Sequence, residues 1–262
     1  MNKFNDWSDF PIRLASGLFL LTISSLCIFY GNLSFSLFLI FLVGIMHWEL
    51  GKMLSPLTIQ TSWFSFLISV VVFCSLINVE NYFWKSLILI FNFFFQKSFF
   101  NQFTNFGTFY SLAIIVCGLV FYELRQELGV IYIVWLVGIV ILTDIAGYVA
   151  GRLIGGPKIM PRISPKKTWS GILGGWIAAG VFAMFFFDYL NPQSLMITFV
   201  FCSVILSIAS QIGDMTQSHL KRLCEVKDSS NLIPGHGGFM DRFDGFIGAA
   251  VVLAVIFVWI YR

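Results

Sequence analysis

Long apolar segments dominate this sequence and restrict its fold more than any other feature. Nine can be delimited, at 14–31, 33–50, 57–78, 82–96, 107–124, 129–151, 170–190, 194–216 and 243–261. Most approach the roughly 20 residues that a helix needs to cross the hydrocarbon core of a bilayer. With 58% of its residues hydrophobic and 11% charged, the chain lacks the polar surface to cover such helices in water. We therefore predict an all-α, polytopic integral membrane protein with about nine transmembrane helices.

The distribution of Lys and Arg predicts how these helices are oriented. With nine spans, 13 of the 16 basic residues fall on the side of the N-terminus, and the exceptions are Lys85, Arg125 and Arg262. Because cytoplasmic loops are enriched in basic residues, we place the N-terminus and the basic loops 152–169 and 217–242 in the cytoplasm. The short segment 82–96 has a re-entrant or interfacial alternative. Its omission would separate the N-terminal cations from the basic loops.

Composition excludes several other classes of protein. The five cysteines form no C-x-x-C pair, so neither a disulfide framework nor a zinc site is indicated. A net charge of +3, with the bases gathered in loops, does not suggest a nucleic-acid partner. Residues 1–13 are polar, and we expect them to lie at the membrane interface without acting as a cleaved signal peptide.

One polar stretch, from Asp214 to Asp244, concentrates the charged residues of the C-terminal half. Its charged side chains include Asp214, Asp228, Asp241, Asp244, Lys221, Arg222, Lys227 and Arg242. If the preceding apolar run continues as a helix, Asp214, Ser218, Lys221 and Arg222 share one face. The turn residues from Pro234 to Gly238 could then return Asp241 towards Asp214. Carboxylates that hold a divalent ion beside fixed cations suit a metal-assisted reaction of phosphates.

This stretch resembles the signature of the CDP-diacylglycerol synthases, also called phosphatidate cytidylyltransferases. The similar residues run from Ser218 to Asp244: S-H-L-K-R, then K-D after four residues, then L-I-P-G-H-G-G-F-M-D-R-F-D. We call these residues the signature. The alternative is an extramembrane loop whose charges only face water, but such a loop would not need His-Gly-Gly between two Asp-containing ends.

A second segment, S-P-K-K-T-W-S-G from Ser164 to Gly171, resembles another element of the same family, S-P-K-K-T-x-E-G. Lys166 and Lys167 can meet a triphosphate with positive charge, although paired lysines are also a common topology signal. Ser170 stands where the family element has Glu, so this chain lacks the carboxylate that the family element has there.

Asp144 lies in the apolar sequence before this segment, where an acid is a functional candidate by default. Pairing with Arg152, or hydrogen bonding to a neighbouring helix, is an equally weighted structural alternative. The nearby glycines suggest close helix packing or close approach to a ligand, and packing is the preferred interpretation. They are Gly147, Gly151, Gly155 and Gly156.

The resemblance implies that CTP and phosphatidate react to give CDP-diacylglycerol and pyrophosphate. It implies Mg²⁺ held by Asp214 and Asp241, with a second cation in the same site left open. The predicted catalytic residues are Asp214, Asp241, Lys221, Arg222 and His236, where His236 could donate a hydrogen bond to a phosphate. The predicted substrate-binding residues are Lys166, Lys167, Ser218, Lys227, Arg242 and Asp144. The resemblance also implies a homodimer, and we expect a bacterial inner membrane with the active site facing the cytoplasm.

We divide the chain into residues 1–128, mainly a scaffold of helices, and residues 129–262, the catalytic region. The first five spans offer little chemistry, and Glu49, close to His47, is interpreted as a helix-end acid that reaches water. Two other functions remain open. One is a CTP-dependent kinase of a membrane alcohol, and the other is a transporter with a cation site of Asp144, Asp214 and Asp241.

Overall fold

Nine α-helices account for most of the residues that a computed structural model describes, namely 10–55, 59–190 and 195–260. They are α1 (Phe10–Tyr30), α2 (Asn32–Leu54), α3 (Ile59–Asn78), α4 (Tyr82–Phe99), α5 (Thr104–Glu123), α6 (Val130–Leu153), α7 (Trp169–Leu190), α8 (Met196–Leu223) and α9 (Met240–Ile260). A π-helical turn, Leu124–Leu128, follows α5. The predicted all-α class is confirmed. Most of the predicted interfacial segment 1–13 lies outside the described residues.

Seven of the described helices are long and apolar enough to cross a membrane by length and composition: α1, α2, α3, α5 with its π turn, α6, α7 and α8. Their backbone groups are satisfied within each helix, as a bilayer requires. The chain is thus a polytopic membrane protein. The spans assigned to α4 and α9 stay predictions.

The chain divides into two compact units that do not follow the sequence order. Unit 1 comprises Met1–Leu112 and Cys224–Arg242, and unit 2 comprises Ala113–Leu223 and Phe243–Arg262. Most of the signature therefore belongs to the same unit as the N-terminal helices. The functional division at residue 128 into scaffold and catalytic region stays a prediction.

In unit 1, α2 and α3 pack closely because small residues line their contact. A Cβ atom added to Gly51 would lie 2.9 Å from the Cα atom of Ser62, which shows how near the two backbones are. A buried hydrogen bond of 2.9 Å from the Ser65 hydroxyl to Gln96 links α3 to α4. Polar bonds of this kind fix the register of helices in an apolar environment.

In unit 2, α6 and α7 approach each other across glycines. A Cβ atom on Gly171 would lie 2.6 Å from the carbonyl oxygen of Gly147, so the packing interpretation of Gly147 is confirmed. Gly151 faces Thr168 and Gly171 in the same way. Gly155 and Gly156 instead have φ of +68° and +107°, a backbone conformation that favours glycine where a helix ends.

The connection after α6 is a short hairpin, where the sequence analysis expected only a polar loop. Strand β1 (Lys158–Met160) pairs antiparallel with β2 (Ser164–Thr168), with Lys158 opposite Thr168 and Met160 opposite Ser164. The hairpin returns the chain to the start of α7 and fixes the two predicted lysines, Lys166 and Lys167, on β2.

Candidate active site

Helix α8 continues to Leu223, beyond the end of the predicted apolar segment at residue 216, and therefore includes the first charged residues of the polar stretch. The Ser218 hydroxyl donates a hydrogen bond of 3.3 Å to Oδ1 of Asp214, one turn earlier. The predicted common face of Asp214 and Ser218 is thereby confirmed. Lys221 and Arg222 follow in the last turn of α8.

Lys167 and Asp214 form an ion pair within unit 2. Nζ of Lys167 lies 2.5 Å from Oδ2 of Asp214, and both side chains are partly exposed, 24% and 29%. Lys167 also donates to the carbonyl oxygen of Gln211 at 3.5 Å. Two segments that sequence reasoning singled out separately are thus in direct contact.

Further charged groups of unit 2 surround this pair. Asp144 interacts electrostatically with Asp214 and Lys167, and Asp244 interacts with Asp214, Lys221 and Asp144. The described hydrogen bond of Arg152 goes to the Tyr148 hydroxyl at 2.9 Å, so the suggested pairing of Asp144 with Arg152 receives no support. Asp144 belongs instead to a group of carboxylates and lysines.

Close helix crossing explains the position of Asp244, which sequence reasoning did not select as a site residue. A Cβ atom on Gly213 would lie 2.5 Å from the carbonyl oxygen of Asp244. Gly213 precedes Asp214 on α8, so the missing side chain lets α9 bring Asp244 close to Asp214. The signal that could have found it was the glycine immediately before the aspartate.

Ser170, which replaces the glutamate of the family element, has a structural role here. Its hydroxyl donates to the carbonyl oxygen of Gly155 and lies 3.0 Å from the Thr168 hydroxyl. Thr168 in turn accepts from the backbone N–H of Gly171 at 3.2 Å. These bonds join the hairpin to the start of α7. Lys166 is exposed on β2.

Asp241 is fixed by three donors within unit 1. Its Oδ2 atom accepts hydrogen bonds from the backbone N–H of Ser229 at 2.8 Å, the Ser229 hydroxyl at 3.0 Å and the N–H of Gly238 at 3.1 Å. Gly237, at φ +83°, provides the turn that aims the Gly238 N–H at this carboxylate. Asp241 thus closes the signature loop onto the first turn of α9.

Glu49 is buried beneath the same loop, which corrects the expectation that it reaches water. Its exposed fraction is 0%. The N–H groups of Phe239 and Met240 donate to its two oxygens at 2.9 and 2.7 Å, and the hydroxyls of Ser230 and Ser229 donate at 2.5 and 3.2 Å. The physical reason is that the first N–H groups of α9 have no partner within the helix and need an acceptor.

His47, the sequence neighbour of Glu49, is also buried and bonds elsewhere. Its ring nitrogens contact the carbonyl oxygen of Val43 at 2.8 Å and the Ser111 hydroxyl at 2.9 Å. Glu49 and His47 therefore have separate partners and do not bond to each other. An acid inside an apolar segment was the available signal for Glu49, and the argument applied to Asp144 applied there equally.

His236 lies in a groove of about 500 Å³ within unit 1, which Arg13, Lys227, Asp228 and Arg242 also line. Nδ1 of its ring is 2.8 Å from the Ser16 hydroxyl. Nε and Nη2 of Arg242 donate to the His236 carbonyl oxygen at 3.2 and 2.8 Å. Partial burial, and then the charges of Arg242 and Arg13, lower the pKa of His236, so its ring is neutral at pH 7.

The predicted magnesium ligands, Asp214 and Asp241, lie in different units, each described by itself. Among the described residues, no three His, Cys, Asp or Glu side chains are close enough together to hold a metal ion. The electrostatic interactions of Asp144, Asp214 and Asp244 act over longer distances than a metal–oxygen bond. Metal binding by Asp214 and Asp241 stays a prediction.

Comparison with known proteins agrees with these motifs. The cytidylyltransferase family matches residues 11–260, and the chain therefore belongs to that family. It is 44% identical over 129 residues to a phosphatidate cytidylyltransferase of Brucella suis biovar 1 (strain 1330), covering 49% of this chain and 47% of the relative. The match to the protein of that name from Staphylococcus haemolyticus (strain JCSC1435) is 38% over 152 residues, 56% and 57% of the two chains. The chain thus matches about half the length of these relatives.

Proposed function

We propose that this protein transfers CMP from CTP to phosphatidate, giving CDP-diacylglycerol and pyrophosphate, in phospholipid biosynthesis. Membership of the cytidylyltransferase family supports this reaction class, and the relatives named above supply the substrate class. The structural observation that supports it best is the contact of Lys167 with Asp214. This contact joins the lysine segment to the polar stretch that begins at Asp214, within one unit. The lysine can bind a phosphate, and the carboxylate can bind a cation.

The reaction joins two anions. An oxygen of the phosphatidate phosphate attacks the α-phosphorus of CTP and forms the new P–O bond. The bond from the α-phosphorus to the oxygen bridging it to the β-phosphate breaks, and pyrophosphate leaves. Because the attacking oxygen is already ionised, the protein needs no general base. Its contribution is positioning and charge neutralisation, for which Lys166, Lys167, Lys221 and Arg222 provide cations.

A magnesium ion is part of the proposal, and the chemistry of the carboxylates supports it. Asp214 already binds a cation, the Lys167 ammonium group, and carboxylate oxygens are the ligands that Mg²⁺ prefers. Asp214 and Asp241 are the proposed ligands and Asp144 is a weaker candidate. A second cation in the same site is part of the proposal. When bound, the metal would supply positive charge to phosphate oxygens.

The substrates set the proposed location. CTP is dissolved in the cytoplasm and phosphatidate has its phosphate at the membrane surface, so the site has to face the cytoplasm. The basic loops on one side of the predicted topology support this orientation. The bacterial source of the relatives supports an inner membrane. The proposal also includes a homodimer, which the resemblance to the family implies.

Two labels of CTP distinguish the proposed reaction from its alternative. Purified protein with Mg²⁺ and phosphatidate should transfer radioactive phosphorus to lipid from the α-position of CTP and not from the γ-position. Transfer from the γ-position, with CDP as the second product, would instead show a lipid kinase. Ion flux in liposomes without CTP turnover would show a transporter.

Substitution of Asp214 tests the site itself. Asp214→Asn removes the charge that pairs with Lys167 and should abolish transfer from the α-position. Asp188→Asn is the matched control, because Asp188 is exposed near the C-terminal end of α7 in the same unit. Full activity of Asp214→Asn would remove the proposed site.

A further inference from the structure

The first turns of α1 lie directly against the Pro234–Gly237 turn of the signature. A Cβ atom on Gly235 would lie 2.6 Å from Cγ of Arg13, and one on Gly17 would lie 3.5 Å from the His236 ring. The Ser16 hydroxyl donates to the Pro234 carbonyl oxygen at 3.0 Å. Gly235 has a φ of +75°, a conformation that favours glycine. The missing side chain also leaves room for Arg13. Helix α1 therefore forms one wall of the groove beside His236.

Positive charge predominates in this groove. Of the residues that line it, Arg13, Lys227 and Arg242 are cations, and Asp228 is the one acid among them. The described bonds of the Arg242 guanidinium go to a backbone carbonyl, so they leave its positive charge uncompensated. A groove with this balance of charge suits a dianion, and a guanidinium can bind a phosphate through two parallel hydrogen bonds.

The neighbouring helix indicates which anion can enter. Pro11–Tyr30 is an apolar candidate span, and none of the residues in its most apolar stretch is buried, so its surface is available to lipid. Arg13 lies near the end of this span, where a basic side chain reaches the layer of lipid phosphates. The groove thus lies beside an apolar helix, at the end of that helix which carries Arg13.

We propose that Arg13 and Arg242 bind the phosphate monoester of the lipid substrate in this groove, beside His236. The inference rests on the proposed function for the identity of the lipid, phosphatidate. It adds a residue from the first helix to the substrate site, outside both segments that resemble the family. The phosphate of a nucleotide or of pyrophosphate has the same chemistry, and the experiment below separates these sources.

Direct binding can be measured without turnover. Protein in detergent micelles, with neither CTP nor metal, is titrated with dioctanoyl phosphatidate or, as the uncharged comparison, dioctanoylglycerol. Arg13→Gln should weaken phosphatidate binding about tenfold, the loss expected for a charge-assisted hydrogen bond. Arg13→Lys should recover part of the affinity, since it restores the charge but not the paired donors. Dioctanoylglycerol binding should be the same in all three proteins.

Lys52→Gln provides the matched control. Lys52 is an exposed cation in the last turn of α2, over the ring of Trp48 at 5.2 Å and outside the groove. The α1–α2 hairpin places this end of α2 at the same end as Arg13. Phosphatidate binding should be unchanged in this variant. An equal loss in Lys52→Gln would show that any cation at this membrane face is sufficient and would overturn the inference.

Steady-state kinetics distinguish the lipid from the nucleotide. Arg13→Gln should raise the KM for phosphatidate about tenfold and leave the KM for CTP unchanged, which also shows that the variant is folded. A rise in the KM for CTP alone, or no change in either, would overturn the lipid assignment. If wild-type protein binds phosphatidate through Arg13 yet forms no CDP-diacylglycerol, the proposed function fails and this inference survives.

Discussion

The carboxylates of the two units are held in different ways. In unit 1, Glu49 and Asp241 accept hydrogen bonds from neutral backbone N–H groups and serine hydroxyls. In unit 2, Asp214 is paired with the ammonium group of Lys167. Neutral donors at a turn fix the backbone that supplies them, whereas a partly exposed cation can be replaced by another cation.

This difference suggests a division of labour between the two regions. The contacts of Glu49 bury polar groups that have no alternative partner in an apolar environment, so they stabilise the signature loop. The Lys167–Asp214 pair is partly exposed, and such pairs contribute little to stability. We expect substitutions in unit 2 to impair chemistry and substitutions at Glu49 to impair folding.

After the complete loss of transfer expected for Asp214→Asn, the next largest effect on activity is expected at its partner, Lys167. Lys167→Met should lower kcat/KM about a hundredfold, the order of loss seen when a single donor to developing negative charge is removed. Thermal stability should change little. The control is Arg162→Met, which removes an exposed cation of the turn between β1 and β2 in the same hairpin and should keep wild-type kinetics. Wild-type activity in Lys167→Met would show that the Lys167–Asp214 pair of unit 2 does not serve catalysis.

The largest effect on stability is expected at Glu49. Glu49→Ala would leave buried N–H donors of α9 without an acceptor, at a cost of about 1–3 kcal/mol for each such group. The thermal midpoint in detergent should fall clearly. Glu80→Ala, which removes an exposed acid between α3 and α4, should leave it unchanged. If Glu49→Ala is as stable as wild type but inactive, Glu49 takes part in catalysis, and the proposed difference in role between the two units is wrong.

Sequence reasoning located most of the helices and the unit 2 contact, for physical reasons. Apolar runs of about 20 residues have few alternatives to a membrane helix. Lys167 and Asp214 were found because each stands in a motif whose charges are conspicuous in an apolar chain. The apolar segment was delimited at residue 216, where hydrophobicity falls, whereas helix α8 continues through the polar turns to Leu223, as the shared face of Asp214 and Arg222 required.

The features that sequence reasoning missed depend on contacts distant along the chain. Glu49 binds groups some 190 residues away, and no local pattern reports such a partner. The hairpin of β1 and β2 is short and polar, so it lacks the alternation that marks a strand. Asp244 required the α8–α9 crossing at Gly213 before its neighbours could be known.

The smallest effect is expected at His236, in the pH dependence of thermal stability. Burial, followed by Arg242 and Arg13, lowers the pKa of His236 below its ordinary value of 6.5, so the folded protein binds a proton there less readily than the unfolded chain. The stability linked to this group is present above pH 6.5 and is lost as the pH falls through the lowered pKa of the folded state. Wild type should therefore lose slightly more thermal stability than His236→Asn between pH 7 and pH 5.

A lipid phosphate in the groove should reduce that difference, because its negative charge opposes Arg13 and Arg242 and raises the pKa of the ring. If phosphatidate leaves the difference unchanged while it binds, its phosphate lies elsewhere, and the groove belongs to the structural contacts of unit 1 alone.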